Sequence, residues 1–139
     1  MPTPGEIWLD TDFLGDKTKQ KYLLVLAVSQ GDVTYRCLTS QQHGRPEDPA
    51  CYHGNPYQGF YLGILGGPLI KKSWLDLSLT EDLDAVAFGR MEKANQLVYI
   101  MLLDDALLCP ALRCTANAPY TDRVQARRIA DVVQARGCP

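Results

Sequence analysis

The chain has 139 residues, of which 46% are hydrophobic and 22% are charged, and its formal net charge is -2. These values are typical of one globular domain spanning 1–139, and they exclude a disordered chain and a uniformly basic nucleic-acid-binding surface. The longest apolar run, 97–103, is too short to cross a bilayer. Residues 1–4 lack the basic and apolar regions of a secretory signal. We therefore expect a single cytoplasmic domain without membrane contact.

Three segments near the start of the chain have the composition of β-strands. Residues 5–13 alternate between apolar and polar, residues 21–29 are nearly all apolar, and residues 33–40 are rich in β-branched and aromatic side chains. The first pattern predicts a half-buried strand, the second a strand covered on both faces, and the third another strand. Three strands joined by short turns indicate a small β-barrel.

A cation and two hydroxyl groups mark the ends of two of these strands. Lys21 begins the second strand, and Thr39 and Ser40 end the third. A turn at Gly31-Asp32 would pair the two strands antiparallel and bring residues near 21 and 39 to the same end of the sheet. The pattern therefore predicts that a cation and a hydroxyl group lie together, where both can face one phosphate.

The middle of the chain begins with a long polar loop over 41–59, which contains both histidines. Loops of this length are usually functional or mobile. Two further strands are predicted over 57–65 and 69–79, the first interrupted by glycines that suggest bulges or a bend.

The segment 80–114 is ambiguous. Its apolar residues recur at helical spacing and favour a helix near 90–107, but strands over 85–88 and 96–101 fit the same residues. The end of the chain predicts a C-terminal helix over 120–136, which lacks glycine and proline and is followed by a terminating glycine.

The first forty positions resemble the PemK/MazF family of toxin endoribonucleases from bacterial toxin–antitoxin systems. The likeness rests on the segment Gly5–Leu9 (GEIWL) followed by an acidic residue, on the cation before a Leu/Val-rich second strand, and on Leu38–Ser40 at the end of the third. It is much weaker over 41–118. The resemblance implies an α+β fold that is mainly β: a small SH3-like barrel of about five to six strands with a C-terminal helix, and the periodicity adds a second helix near 90–107.

Enzymes of that family are usually homodimers that cut single-stranded RNA without a metal and are neutralised by an antitoxin protein. Their activity uses an arginine at the start of the second strand and a threonine at the end of the third. The matching positions are Lys21 and Thr39, so the resemblance implies catalytic roles for these two residues. Lysine keeps the charge of arginine but lacks its planar fork. The implied partners are single-stranded RNA, a cognate antitoxin and a second copy of the chain, and no cofactor is implied.

Metal-free RNA cleavage makes three chemical demands. The attacking 2′-hydroxyl must lose a proton, the leaving oxygen must gain one, and the charge on the phosphoryl oxygens must be stabilised. Lys21 can stabilise the charge on the phosphoryl oxygens, and Lys19 and Arg36 are alternative cations for this role. Thr39 or Ser40 can donate a hydrogen bond to a phosphoryl oxygen.

Further residues complete the predicted RNA-binding surface. They are Lys17, Lys19, Arg36, Ser40, His43 and Arg45. A ribonuclease site built on the two histidines of the long loop, His43 and His53, is an open alternative because imidazole exchanges protons near neutral pH.

Two other readings of the sequence stay open. One is a barrel without catalytic activity that binds a protein partner, like the gyrase-poisoning relatives of this fold or a silent adaptor. The lysine at position 21 and the pI of about 5.6 favour this reading. The other is a redox or metal module that uses Cys109 and Cys114, although the chain has no C-x-x-C pair and reduced thiols are the expected state of its cysteines.

Overall fold

Eight strands and three α-helices form the part of the chain that the computed structural model describes, residues 1–78 and 81–139. The last residue of the predicted 69–79 strand, Leu79, lies outside the described residues, as does Thr80. The strands are β1 (Glu6–Asp10), β2 (Lys21–Val28), β3 (Asp32–Thr39), β4 (Cys51–Tyr52), β5 (Gly59–Gly63), β6 (Ser73–Asp76), β7 (Glu81–Asp84) and β8 (Leu97–Leu102). The helices are α1 (Ala85–Lys93), α2 (Asp105–Ala116) and α3 (Arg123–Ala135), and one 3-10 turn covers Phe13–Gly15.

The strands form one antiparallel sheet in the order β4-β5-β6-β3-β2-β1-β8, with β7 beside β3. The two end strands, β4 and β8, do not pair with each other among the described strands, so the sheet is not closed into a barrel. The α+β class, the predominance of β structure and the C-terminal helix are confirmed. Of the described helices, none combines the length and apolar character that a membrane span requires.

Strand β3 is the centre of the sheet. It pairs with β2 along one edge, and its other edge is shared by β7 near its start and β6 near its end. In the pairing of β2 with β3, Leu23 lies opposite Cys37. Continued by two residues, this register sets Lys21 opposite Thr39. The antiparallel pairing predicted from the intervening turn is confirmed.

Strand β2 is apolar after its first residue, Lys21, because both of its faces are covered. Leu24 and Leu26 belong to one hydrophobic cluster, which includes residues of α2 and α3, and Leu23 and Val25 belong to a second, which includes Phe88 of α1. Successive side chains of a strand point to opposite faces, so one continuous apolar run serves two cores.

The helix predicted near 90–107 is wrong. Helix α1 ends at Lys93, Asn95 has a φ of +58° that a helix cannot contain, and β8 follows as an edge strand paired with β1. The alternative strand over 96–101 corresponds to β8, whereas the alternative strand over 85–88 is part of α1. The spacing of the apolar residues fits both a helix and a strand. The segment forms a strand because it can pair with the free edge of β1.

Two disulfide bonds join four of the five cysteines, which corrects the prediction of reduced thiols. Cys51 of β4 is bonded to Cys114 of α2, and Cys109 of α2 is bonded to Cys138 after α3. Cys37 keeps a buried thiol. The alternative in which Cys109 and Cys114 act together in one redox or metal module is not supported, because the two cysteines are bonded to different partners. Residues five apart on a helix are turned by about 140° from each other.

Arg36, predicted to contact RNA, is buried instead, with 1% of its surface exposed. Its guanidinium donates hydrogen bonds to the carbonyl oxygen of Tyr35 (2.7 Å) and to Oε1 of Gln125 on α3 (2.6 Å). The amide of Gln125 donates in turn to Asp82 of β7 (3.0 Å). Burial lowers the pKa of Arg36, and the charge of Asp82 opposes that change. The prediction is corrected: Arg36 fixes α3 to the sheet and has no surface for RNA.

Replacing Gln125 with alanine tests this network. We expect Gln125→Ala to lower the free energy of unfolding by about 1–3 kcal/mol, because the buried guanidinium of Arg36 loses an acceptor. Urea denaturation followed by circular dichroism measures the change. Gln134→Ala is the matched control, since Gln134 is exposed on the same helix. Equal stability of the two variants would contradict the assignment.

Candidate functional site

A pocket of about 450 Å³ opens where β2 begins and β3 ends. Lys21 and Thr39 both line it, and both are partly exposed. Ser40 and Gln41, which follow β3, continue the wall. Of the predicted site residues, the structure therefore brings Lys21, Thr39 and Ser40 together at one opening.

The sheet determines where these side chains lie. The register of β2 and β3, extended by two residues beyond Leu23 and Cys37, puts Lys21 opposite Thr39. Lys21 is also paired with Asp10 of β1, and Thr39 is paired with Trp74 of β6. Residues directly opposite each other in antiparallel strands have their side chains on the same face. Lys21, Thr39 and Trp74 thus form one row across three strands, and the first two border the pocket.

A local hydrogen bond orients the hydroxyl group of Thr39. The backbone N–H of Gln41 donates to Thr39 Oγ1 at 3.1 Å, a turn that threonine commonly makes at the end of a strand. A hydroxyl group has one proton to donate and two lone pairs. With one lone pair engaged by the backbone, the proton of Thr39 can be donated to a ligand in the pocket.

The charge of the pocket differs from that of the whole chain. Lys21 and Lys71 line it, and among the described residues no carboxylate or histidine does. Lys21 nevertheless has an acidic neighbour outside the lining, because the buried Asp10 of β1 lies directly opposite it in the sheet. Lys71 was not predicted as a site residue, because it lies in the segment 69–79 that was interpreted as a strand, whereas β6 begins only at Ser73.

Apart from Gln20 and Ser73, the rest of the wall is apolar and can contact a sugar or base. Tyr22 comes from β2, and Pro68 and Ile70 come from the turn before β6. Ile70 is 73% exposed, which is unusual for a large aliphatic side chain. Aromatic and aliphatic surfaces beside a cation are typical of sites that hold a nucleotide by its base and its phosphate.

The other predicted RNA contacts are scattered. Lys17 and Lys19 are exposed in the loop before β2, outside the residues that line the pocket. His43 is exposed beyond β3, where its Nε2 lies 2.9 Å from Oε1 of the pocket residue Gln41 and its ring lies 4.8 Å from that of Tyr57. His43 is therefore one hydrogen bond away from the pocket wall.

The prediction that Arg45 contacts RNA is also wrong, because Arg45 is buried, with only 2% of its surface exposed. Its guanidinium donates to the carbonyl oxygens of Gln58 (2.9 Å) and Gln41 (3.0 Å) and forms an ion pair with Asp76 of β6 (3.2 Å). A Cβ at Gly59 would lie 2.6 Å from Arg45 Cδ, so the close packing requires glycine there. Arg45 anchors the long loop and positions Gln41, and its burial removes it from the predicted RNA surface.

His53 belongs to a different part of the molecule. Its Nε2 lies 2.9 Å from the carbonyl oxygen of Cys114 in α2, at a second cleft. No contact among the described residues joins His43 to His53, so the structure does not bring the two histidines together in one site.

Comparison of the chain with protein-family models, curated proteins and solved structures finds no match. Function is therefore inferred from the geometry of the site. A partly exposed lysine, an oriented hydroxyl group, a second cation and apolar wall residues can bind a phosphodiester and stabilise extra negative charge on its oxygens.

Removing the anchor of the long loop tests how the pocket rim is held. We expect Arg45→Ala to lower the free energy of unfolding by about 3 kcal/mol, because Asp76 and two backbone carbonyls lose a buried donor. Urea denaturation provides the measurement. Lys72→Ala removes the exposed ion pair of Lys72 with Glu47 and should change stability little. A wild-type stability for Arg45→Ala would show that the loop is held by other contacts.

Proposed function

We propose that the chain is the toxin component of a bacterial toxin–antitoxin system, a metal-independent endoribonuclease that cleaves single-stranded RNA. The observation that carries this proposal is the meeting of Lys21 and Thr39 at one pocket that two lysines line. The proposal includes membership of the PemK/MazF family and the SH3-like character of the sheet, which the resemblance implies.

The proposed reaction is an internal transesterification. The 2′-oxygen forms a bond to phosphorus while the bond from phosphorus to the 5′-oxygen breaks, which leaves a 2′,3′-cyclic phosphate and a free 5′-hydroxyl. The ammonium group of Lys21 stabilises the charge that develops on the non-bridging oxygens, and the hydroxyl group of Thr39 donates a hydrogen bond to one of them. Lys71 adds positive charge at the opening.

Two proton transfers accompany these bond changes. The 2′-hydroxyl loses its proton to a base, and the leaving 5′-oxygen gains one. His43 is the imidazole nearest the pocket, through its hydrogen bond to Gln41, and we assign it the role of base. Lys21 is assigned the donation to the leaving oxygen, since an ammonium group carries three protons and no lone pair.

Protein partners are part of the proposal. An antitoxin and a second copy of the chain need an exposed apolar surface. Strand β8 supplies one, because it is an end strand of the sheet and Val98, Tyr99 and Leu102 are exposed along it. Edge strands of this kind readily pair with another chain.

The same edge strand supports a second candidate function. A toxin or adaptor that acts by binding a protein could use β8 without any RNA cleavage. The two candidates differ in one observable: the first degrades RNA in a purified system, and the second inhibits its target while RNA stays intact.

A cytoplasmic location belongs to the first candidate, because cellular single-stranded RNA is its substrate. Disulfide bonds are typical of oxidising environments and rare in the cytosol. The oxidised and the dithiol-treated protein should therefore both be assayed.

Purified protein should cut a single-stranded RNA in the presence of EDTA. We expect Lys21→Ala and Thr39→Ala each to slow cleavage by about 100-fold or more, as the loss of one stabilising donor does in other enzymes. Thr39→Ser, which keeps the hydroxyl group, should retain most activity. Gel electrophoresis of a labelled RNA measures the rates.

Lys19→Ala is the matched control for charge, since Lys19 is exposed near β2 but does not line the pocket. It should cleave within a few-fold of the wild type. Intact RNA at high protein concentration, or equal losses for Lys19→Ala and Lys21→Ala, would contradict the proposal. Growth inhibition with intact RNA would favour the second candidate.

A further inference from the structure

A second cleft, of about 600 Å³, lies between β4, β5 and α2. Cys51, His53 and Cys114 border it, and their ligand atoms all lie within 4.8 Å of one another. His53 Nε2 is 3.4 Å from the sulfur of Cys51 and 3.4 Å from the sulfur of Cys114. The disulfide bond between the two cysteines is thus flanked by an imidazole that is equidistant from both sulfur atoms.

We infer that the reduced form of this cluster is a Zn²⁺ site with two thiolate ligands and one imidazole ligand. Two cysteines and one histidine are among the donor sets that zinc takes in proteins, with metal–ligand distances of about 2.0–2.3 Å. Three donor atoms that already lie so close together need only the separation of the two sulfur atoms to surround such an ion. The remaining position faces the cleft, where a water molecule can fill it.

The disulfide form converts to the zinc-bound form in two steps, which are reduction of the disulfide and binding of the metal. A dithiol reductant transfers two electrons to the disulfide, the bond between the sulfurs of Cys51 and Cys114 breaks, and the reductant becomes a disulfide. The two new thiols release their protons to solvent when Zn²⁺ binds, because only thiolates are ligands. Cys51 is exposed, so a reductant can reach its sulfur atom, whereas Cys114 is 4% exposed.

The imidazole is already held at the cluster. In the oxidised state Nε2–H of His53 donates a hydrogen bond to the carbonyl oxygen of Cys114, near the C-terminal end of α2. Binding zinc through Nε2 requires the tautomer with its proton on Nδ1, so this hydrogen bond is exchanged for the metal bond. The ring needs no large movement, since both sulfur atoms already lie 3.4 Å away.

The metal would replace the mechanical role of the disulfide. The bond between Cys51 and Cys114 ties the short end strand β4 to α2 across 63 positions of sequence. Under reducing conditions that link would be lost, and a zinc ion on the same side chains would restore it. The other disulfide, Cys109 to Cys138, belongs to no metal-binding group among the described residues, so it serves as an internal comparison.

Zinc titration of the full chain tests the inference. The protein is reduced with a dithiol, and the dithiol is then removed under anaerobic conditions. The reduced protein is titrated with Zn²⁺ in competition with a chromophoric chelator. The Cys109→Ser/Cys138→Ser background removes the other thiol pair. We expect one equivalent to bind the reduced protein and none the oxidised protein. Co²⁺ in place of Zn²⁺ should give the charge-transfer absorption of bound thiolates.

Single substitutions separate this site from general thiol binding. His53→Ala should lower the Zn²⁺ affinity by about 10-fold or more, and Cys51→Ser should abolish stoichiometric binding. His43→Ala is the matched control and should bind zinc like the wild type. If the reduced chain unfolds, one equivalent of Zn²⁺ should restore its circular dichroism spectrum.

Three results would overturn the inference. They are the absence of zinc binding by the reduced chain, affinity unchanged in His53→Ala, and a reduced chain that stays unfolded in the presence of zinc. The first two results do not bear on RNA cleavage at the pocket of Lys21 and Thr39, which shares no lining residue with this cleft. RNA cleavage by the oxidised protein separates the third result from a failure of the proposed function.

Discussion

The antiparallel pairing of β2 with β3 is the constraint on which the rest of the molecule depends. Its register sets Lys21 opposite Thr39, and a shift by one residue would send one of the two side chains to the other face of the sheet. The apolar residues of β2 fix that register, because Leu24 and Leu26 fill one core while Leu23 and Val25 fill the other. A register shift would expose the apolar residues of a core to water. The free-energy cost of that exposure also keeps Lys21 and Thr39 in position at the pocket.

Two arginines that could have served as ligand contacts act inside the protein instead. Arg36 joins β3 to α3 through Gln125, and Arg45 joins the long loop to β6 through Asp76. A buried guanidinium group can satisfy several carbonyl and carboxylate oxygens at once, which suits it to such links. The positive charge at the pocket comes instead from two lysines, Lys21 and Lys71, since lysine side chains are mostly found at the protein surface.

The strands around the candidate site could be predicted because each carries a strong local pattern. Alternation predicted β1, an unbroken apolar run predicted β2, and the Gly31-Asp32 turn predicted the antiparallel pairing that brings Lys21 to Thr39. Burial of arginine could not be predicted, since it depends on acceptors distant in sequence. The position of β8 depends on an open sheet edge, and the disulfide between Cys51 and Cys114 spans 63 residues; neither leaves a local signal.

Nuclear magnetic resonance of the labelled protein with a short single-stranded oligonucleotide gives the sharpest test of the pocket as a phosphodiester site. A 2′-deoxy sugar at each position prevents cleavage, so binding is observed alone. We expect the largest chemical-shift changes at Lys21, Thr39, Ser40 and Lys71, weakening as salt increases. Changes confined to β8 or to the cleft of His53, or none at millimolar oligonucleotide, would contradict a phosphodiester site at this pocket.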